Sequence, residues 1–466
     1  MKKRKFIPVF ISFIVFFASC TTDYNKLISV TEADFYKGKY MDAAKSLLPQ
    51  VNKEDKDQLL FMMECGLMLH AAGDFANSNK ILLGAAELSE KIATSISKSA
   101  AALLLNETKT NYKGEDFERV LIHMYLGINF LMLDNPDSAR VEFKKVNDLL
   151  RDIEQTAGRE YKQNVMAKYL TGIAFEIIAD LQNDDNDREF AYVEYKQIHE
   201  LMPNFELVQC DLRRLSKKLD DMEDYNKWVK KFEEKFKIPK NAGELIMLYH
   251  AGQGAIKVSR GKMLEDKAMN ASIRVSLSGM SLAQGVSIAA VLIALNTAEH
   301  PIPKFKKRSN NVDHLVININ GKDLGSTQML EDIEDTAVKN MEDSYSRMYT
   351  KFAAGIAVKA VASVAAGLAA KKMAEQSKQL GPFAGLIGAV AGAGTGAALA
   401  SQIQPDLRCW HTLPANLQVS RLFLKPGKYD VDIKFINKAG AVDRTEKQVV
   451  EIKEGKKSFI NYRTLY

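Results

Sequence analysis

From residue 31 to about 236 the chain carries almost no strand signal, and apolar residues recur at helical spacing in segments separated by short polar turns. Within that stretch one pattern returns. Gly38-Lys39-Tyr40-Met41-Asp42-Ala43-Ala44 closes a first helix pair, and Cys65-Gly66 leads to Gly73-Asp74-Phe75-Ala76-Asn77-Ser78. Tyr125-Leu126-Gly127 leads in the same way to Pro136-Asp137-Ser138-Ala139, and Tyr169-Leu170-Thr171-Gly172 to Ala191, ending at Pro203. In each copy a small residue in the first helix lets the second approach, a polar turn follows, and an Ala in the second helix completes the contact. A unit of this size cannot bury its apolar face alone, so the repetition dictates a stack of helix pairs.

The pattern resembles tetratricopeptide repeats (TPR), with irregular spacing that marks degenerate copies. Such arrays present a concave surface to another protein and rarely carry catalysis. Asn183-Asp184-Asp185-Asn186-Asp187 has the alternating acids of a calcium loop but lacks its central Gly and distal Glu, so it reads as a solvated turn between helices.

Residues 1–19 read as a secretory signal, with a KKRK start, the apolar run FIPVFISFIVFF and then small residues. Phe17-Ala18-Ser19-Cys20 resembles the lipobox of bacterial lipoproteins, which implies acylation of Cys20, a lipidated tether over 20–30, and a periplasm-facing place on the outer membrane. The signal also accounts for the basicity. The whole chain has 64 Lys and Arg against 58 Asp and Glu; without Lys2, Lys3, Arg4 and Lys5 the balance is 60 to 58, close to neutral. Nothing in that balance favours nucleic acid. With Cys20 acylated, Cys65, Cys210 and Cys409 remain, an odd number whose apolar surroundings suit buried free thiols better than a bridge.

After Lys240 the composition changes. Glu244 to His250, Ser272 to Leu277 and Val312 to Ile319 are short β-like runs, and Asn320-Gly321 is a hairpin turn. Residues 405–466 alternate with period two in four runs, which predicts an antiparallel β-meander, forming a sandwich with the strands of 241–329. Gly279 to Asn296 is apolar and fits either a buried helix or two buried strands. Between the two β-rich parts, 330–404 reads as an Ala/Gly-rich helical hairpin. Its second arm, Leu380 to Ala400, carries no charge, and Gly388, Gly392 and Gly396 recur every four residues as in glycine zippers. Thirteen of those 21 residues are Gly or Ala. A hairpin packed on protein is favoured over one inserted in a bilayer or self-associating, because Gly and Ala gain little from lipid. The fold class is therefore α+β: a TPR-like solenoid (31–236), then a small antiparallel β-sandwich-like domain with an inserted helical hairpin.

The search for chemistry is sparse. Seven His are scattered without metal spacing, no nucleophile elbow occurs, and Cys409-Trp410-His411 does not by itself make a dyad. Glu115 and Glu118 suit a helix start. Lys304-Phe305-Lys306-Lys307-Arg308 is a concentrated basic run, either plain solvated surface or a contact for a polyanion or lipid headgroups. The stretch from Tyr112 to His123, continuing to Asp137-Ser138-Ala139-Arg140-Val141-Glu142, and Asp406-Leu407-Arg408-Cys409-Trp410-His411-Thr412-Leu413-Pro414-Ala415 with Arg421, resemble a widespread family of uncharacterised bacterial lipoproteins with a TPR-like N-terminal region and a DLRxWxTLP-type motif. In that motif Asp406 and Arg408 beside Trp410 read as a structural clasp, an Arg–carboxylate pair over an aromatic face. The expectation is a non-enzymatic, lipid-anchored envelope protein that binds other envelope proteins, with no metal, cofactor or small-molecule substrate.

Overall fold

The computed structural model describes residues 24–98, 108, 110–157, 163–232, 238–284, 288–376 and 399–465. Cys20, Gly388, Gly392 and Gly396 lie outside the described residues, as does most of the hairpin's second arm.

The helical half begins with α1 (Tyr24–Phe35), α2 (Tyr40–Val51), α3 (Gln58–Ala71), α4 (Phe75–Lys98) and α5 (Asp116–Met132). It continues with α6 (Pro136–Ala157), α7 (Val165–Gln182), α8 (Asp185–Leu201), α9 (Glu206–Lys218) and α10 (Met222–Lys231). The pairing rests on the glycines singled out in the sequence. A Cβ added at Gly66 of α3 would overlap Leu82 of α4, one at Gly127 of α5 would overlap Phe143 of α6, and one at Gly172 of α7 would overlap Tyr195 of α8. The turn inside each pair uses a left-handed residue at the same place: Gly73 at φ +79°, then Asp134 and Asn183 at φ +55°. Asp184, from the supposed calcium loop, caps α8 by accepting the Asn186 N–H. The helical half is TPR-like, and the chain is α+β.

Segment 20–30, expected as a tether, is helical from Tyr24 onward. The reason is burial: Tyr24 rests against Phe61 and Ile28 is fully enclosed, so α1 belongs to the repeat core.

The β-rich part comprises β1 (Gly243–Ala251), β2 (Ile256–Val258), β3 (Lys304–Lys306), β4 (Val312–Ile319), β5 (Lys322–Ser326), β6 (Gln328–Asp332), β7 (Asn416–Leu424), β8 (Gly427–Asn437), β9 (Val442–Ile452) and β10 (Lys457–Arg463). Two four-stranded sheets form, ordered β10-β1-β7-β6 and β5-β4-β8-β9, beside a β2–β3 ribbon. Asn320 (φ +52°) and Gly321 (φ +80°) turn β4 into β5. The expected C-terminal meander is corrected: only β8 and β9 stay paired as a hairpin, while β7 and β10 join the other sheet on either side of β1. The β1–β10 ladder is parallel, Glu244 opposite Lys457 through His250 opposite Arg463. All nine residues of β1 are buried, and a strand enclosed on both faces needs a partner at each edge.

Period two then builds three layers. Leu245, Met247, Tyr249, Leu422 and Leu424 share an apolar cluster with Leu315, Ile317, Val431, Ile433 and Phe435 of the second sheet. Ile246, Leu248, Leu417 and Val419, one residue out of phase, join the core of the helical array. The first sheet is thus clasped between the repeats and the second sheet.

Three helices complete the fold: α11 (Lys267–Gln284), α12 (Ile288–Ala294) and α13 (Ile333–Gln376). Ser272 to Leu277, read as a strand, lies inside α11, because Met269, Ile273 and Leu277 bury one face at a spacing of four. The described residues of the ambiguous 279–296 region are helical up to Ala294, with Leu295 and Asn296 in the turn that follows. The insertion begins later than expected, since Leu330 belongs to β6, which pairs with β7. Cys65 and Cys409 are buried and Cys210 half-buried, all three unbridged.

Candidate functional site

Helices α3, α5 and α7, the first of their pairs, are largely enclosed, and the chain's own C-terminal half packs against them. Three stations along this row define the site.

At the first, segment 405–415 lies across α3 and α5 as a strap whose backbone N–H groups are captured by two buried carboxylates. Glu64 of α3 accepts from the N–H of His411 (2.6 Å), the N–H of Thr412 (3.2 Å) and the Thr412 hydroxyl (2.6 Å). The Tyr24 hydroxyl sits between Glu64 and the Cys409 carbonyl, 2.8 and 3.0 Å away. Glu118 of α5 accepts from the N–H of Trp410 (2.6 Å), the Tyr112 hydroxyl (2.5 Å) and the N–H of Glu115 (2.8 Å). The last of these closes a capping box at the start of α5. Burial raises the Glu64 carboxyl and pushes Glu118 up to about 7. Their direct hydrogen-bond donors among the described residues are neutral, and the nearby His411 and Lys257 only partly offset the burial.

Arg408 binds Asp406 through Nε and Nη2 (2.9 and 2.7 Å) and Asp57 through Nη1 (2.6 Å). The ring under its guanidinium is Tyr112, 5.2 Å away, rather than Trp410. Trp410 is buried, with Nε1 donating to the Thr412 hydroxyl at 3.2 Å. His411 turns its Nδ1 to Glu32 (3.0 Å), while its carbonyl accepts from Arg308 (2.6 Å) and Tyr36 (3.1 Å). The Cys409 sulfur accepts the N–H of Lys257 at 3.4 Å. Lys257 itself pairs with Glu115.

The second station joins neutral side chains, with Arg463 donating to the His250 carbonyl beside them. His70 of α3 donates from Nδ1 to Asn129 (2.6 Å) and accepts at Nε2 from Asn461 of β10 (3.0 Å). His250 of β1 donates from Nε2 to the same Asn461 (2.7 Å) and accepts at Nδ1 from Tyr125 of α5 (3.2 Å). Each imidazole has one donor and one acceptor partner, the pattern of the neutral ring. Burial pushes His70 down to about 4 and holds His250 well below the usual range.

The third station is fully ionic. Arg421 of β7, 2% exposed, reaches both oxygens of Glu176 in α7 (3.0 and 3.1 Å), Asp211 in α9 (3.1 Å) and Glu244 in β1 (2.7 Å). Arg214 shares Glu176 and Asp211, and Lys457 of β10 shares Glu244. Burial works to raise Glu176, but Arg214, Arg421 and Lys457 outweigh it and hold the carboxyl well below the usual range.

The sequence marked Asp406, Arg408, Trp410 and Arg421 but missed Asp57, Glu176 and Asp211, which pair with the two arginines, and the junction roles of Glu64 and His70. One signal was present: Glu64 and Glu176 are lone acids inside the apolar stretches Met62-Met63-Glu64-Cys65 and Phe175-Glu176-Ile177-Ile178. A carboxylate on an otherwise buried helix needs a partner from elsewhere. The Lys304–Arg308 run divides: Phe305 is buried, Arg308 is drawn into the strap, and Lys304, Lys306 and Lys307 stay exposed. Among the described residues no group of three His, Cys, Asp or Glu side chains could hold a metal ion.

The chain matches no protein-family model and no curated protein. Among solved structures it is similar to a MamA fragment from Desulfovibrio magneticus RS-1, at 13% identity and TM-score 0.28 over 44% of this chain and 91% of that one. It is also similar to BtubC from P. vanneervenii, at 11% identity and TM-score 0.29 over 46% and 84%. A tetratricopeptide repeat protein from Parabacteroides merdae shows 14% identity and TM-score 0.20 over 45% and 80%. At these scores the likeness carries no argument; the repeat character rests on the glycine contacts and turns above.

Proposed function

We propose that the chain is a non-enzymatic scaffold or assembly factor of the cell envelope, tethered through an acylated Cys20 to the outer membrane and facing the periplasm, with other envelope proteins as partners. The observation that carries this reading is the use made of the buried polar groups. Glu64, Glu118, His70, His250, Glu176 and Arg421, the side chains best suited to acid–base or anion chemistry, are each consumed in joining the repeats to the β-domain. The row of first helices is filled from within, so the face left for a partner is the outer row, where Leu83 of α4, Val141 of α6, and Phe190 and Val193 of α8 are exposed.

Two measurements test it. Palmitate incorporation should vanish in Cys20→Ala; labelling that persists removes the anchor. Mild crosslinking in the native envelope followed by mass spectrometry should recover partners from wild type and lose them in the Phe190→Asp, Val193→Asp double variant. Recovery unchanged by that variant rules out the outer row.

A second reading has its own observation. Helix α13 is long and apolar enough to cross a membrane by length and composition, only 47% of its most apolar 18-residue window is buried, and Val358, Leu368 and Met373 are exposed. That supports a component that inserts in a bilayer or self-associates. Binding of the unacylated protein to vesicles of neutral lipid would favour it.

A further inference from the structure

The basic run around Lys304 acquires a direction once the fold is known. Strand β3 alternates: Phe305 points inward, 5.7 Å from the Phe117 ring, while Lys304 and Lys306 are exposed on the opposite face. Their cross-strand partners in β2 are Val258 and Ile256, each half-buried, so the outer face of the ribbon is two lysines alternating with two apolar side chains. The inward Lys257 is already spent on Glu115. Lys307, next in the chain, is also exposed and reaches Asp335 only at 3.6 Å, a pair too open to water to neutralise it. Lys262 adds a further exposed positive charge, opposed by Glu299 across a single β-bridge.

The inward side of the same ribbon shares a buried contact residue with the start of α1. The Tyr24 hydroxyl donates to the Cys409 carbonyl at 3.0 Å, and the N–H of Lys257 in β2 donates to the Cys409 sulfur at 3.4 Å. Tyr24 and the ribbon therefore meet at one residue. Cys20 precedes Tyr24 by four residue steps, and four extended residues span at most roughly 14 Å. An acyl group on Cys20 would keep Tyr24 close to the lipid, with no long tether between the two.

We propose that the outer face of the β2–β3 ribbon, presented by Lys304 and Lys306 and flanked by Lys307, is a contact surface for anionic phospholipid headgroups in the membrane that carries the anchor. The inference rests on the lipid-anchored reading for its geometry, but its chemistry is separable. A surface lysine near an anionic bilayer contributes roughly a five-fold gain in partitioning, lost within a Debye length as salt rises. Acylation supplies one membrane signal and the ribbon a second, and stable anchoring draws on such combinations.

The test uses the unacylated mature chain, residues 20–466 with Cys20→Ala, so that failure of the anchor and failure of the ribbon read out separately. Sedimentation with vesicles of phosphatidylcholine and phosphatidylglycerol in equal parts should bind it at least ten-fold more tightly than pure phosphatidylcholine, with the difference collapsing in 0.5 M salt. The Lys304→Ala, Lys306→Ala double variant should lose about 25-fold on the anionic vesicles. The pair Lys322→Ala, Lys428→Ala, exposed on the second sheet, should lose little. Equal binding of wild type to both vesicles, or a double variant that binds as wild type does, overturns the proposal. So does an equal loss in the control pair, which would assign the effect to net charge. Palmitate labelling of Cys20 decides the anchor independently.

Discussion

The strap junction and the Arg421 junction do the same work, fastening C-terminal chain to the first helices of the repeats, and they do it with opposite electrostatics. Around Glu64 and Glu118 the acceptors are buried carboxylates and the donors are mostly neutral backbone N–H groups, so burial wins and both carboxyls are raised. Around Arg421 two guanidinium groups and Lys457 face three carboxylates, and Glu176 and Glu244 are held below the usual range against the pull of burial. The difference shows that enclosure alone does not set a carboxyl's protonation: surrounding cations win at Glu176 and Glu244, while at the neighbouring Asp211 burial still outweighs Arg421 and Arg214 and raises the carboxyl. It also means that Glu64 and Glu118 on one side, and Glu176 and Glu244 on the other, respond to pH in opposite directions.

The largest expected effect is at the ionic end. Arg421→Met removes one cation and leaves Glu176, Asp211 and Glu244 under-neutralised in a closed site, which should cost about 3–5 kcal/mol in chemical denaturation. A loss below about 1 kcal/mol would mean that Arg214 and Lys457 already suffice, and the contrast between junctions would fail.

The second effect is the pH dependence. Glu118 stands at about 7 in the folded chain against an ordinary value near 4.5, so the folded state holds the extra proton between those limits. Its contribution is complete below pH 4.5 and lost as pH rises through 7, about 3 kcal/mol in all. Glu176 and Glu244 run the other way, since their lowered values supply stability above the ordinary carboxyl range that is lost as pH falls. Hydrogen exchange should therefore show 405–415 better protected at pH 5 than at pH 8, and 416–424 with 457–463 less protected at pH 4 than at pH 7. His70 and His250 add to the second trend, because rings kept neutral by burial lose their contribution as pH drops from 6.5 towards 4. Parallel changes in both segments would break the comparison.

The smallest effect sharpens it. Thr412→Val removes one donor from Glu64 and the acceptor of the Trp410 indole, and should cost about 1–2 kcal/mol, with the loss confined to strap protection.

How legible each region was follows from how far apart its partners lie in the chain. The repeats could be read because each decisive contact joins a glycine to a bulky residue of the next helix, Gly66 to Leu82 or Gly127 to Phe143, close enough in sequence for the motif to repeat visibly. The Asn320-Gly321 turn was equally local. The strap was recognisable as a motif but not as an arrangement, since Trp410 meets Glu118 across 292 positions and Arg408 meets Asp57 across 351. For the same reason Tyr112 rather than the neighbouring Trp410 lies under Arg408. Ser272 to Leu277 alternates polar and apolar residues as a strand would, yet Met269, Ile273 and Leu277 pack on one helical face and leave Val275 exposed, so packing chose the helix.

By itself the sequence determined the stack of helix pairs, the presence of strands in the second half and the place of the lipobox-like cysteine, because each is written in neighbours or in short periods. Only the tertiary structure decided that the face of the array expected to receive a partner is occupied by β1, β7, β10 and the strap. It also decided that Lys304 and Lys306 share the exposed face of the β2–β3 ribbon. Those outcomes depend on which distant groups satisfy a buried charge, and local pattern carries no record of that pairing.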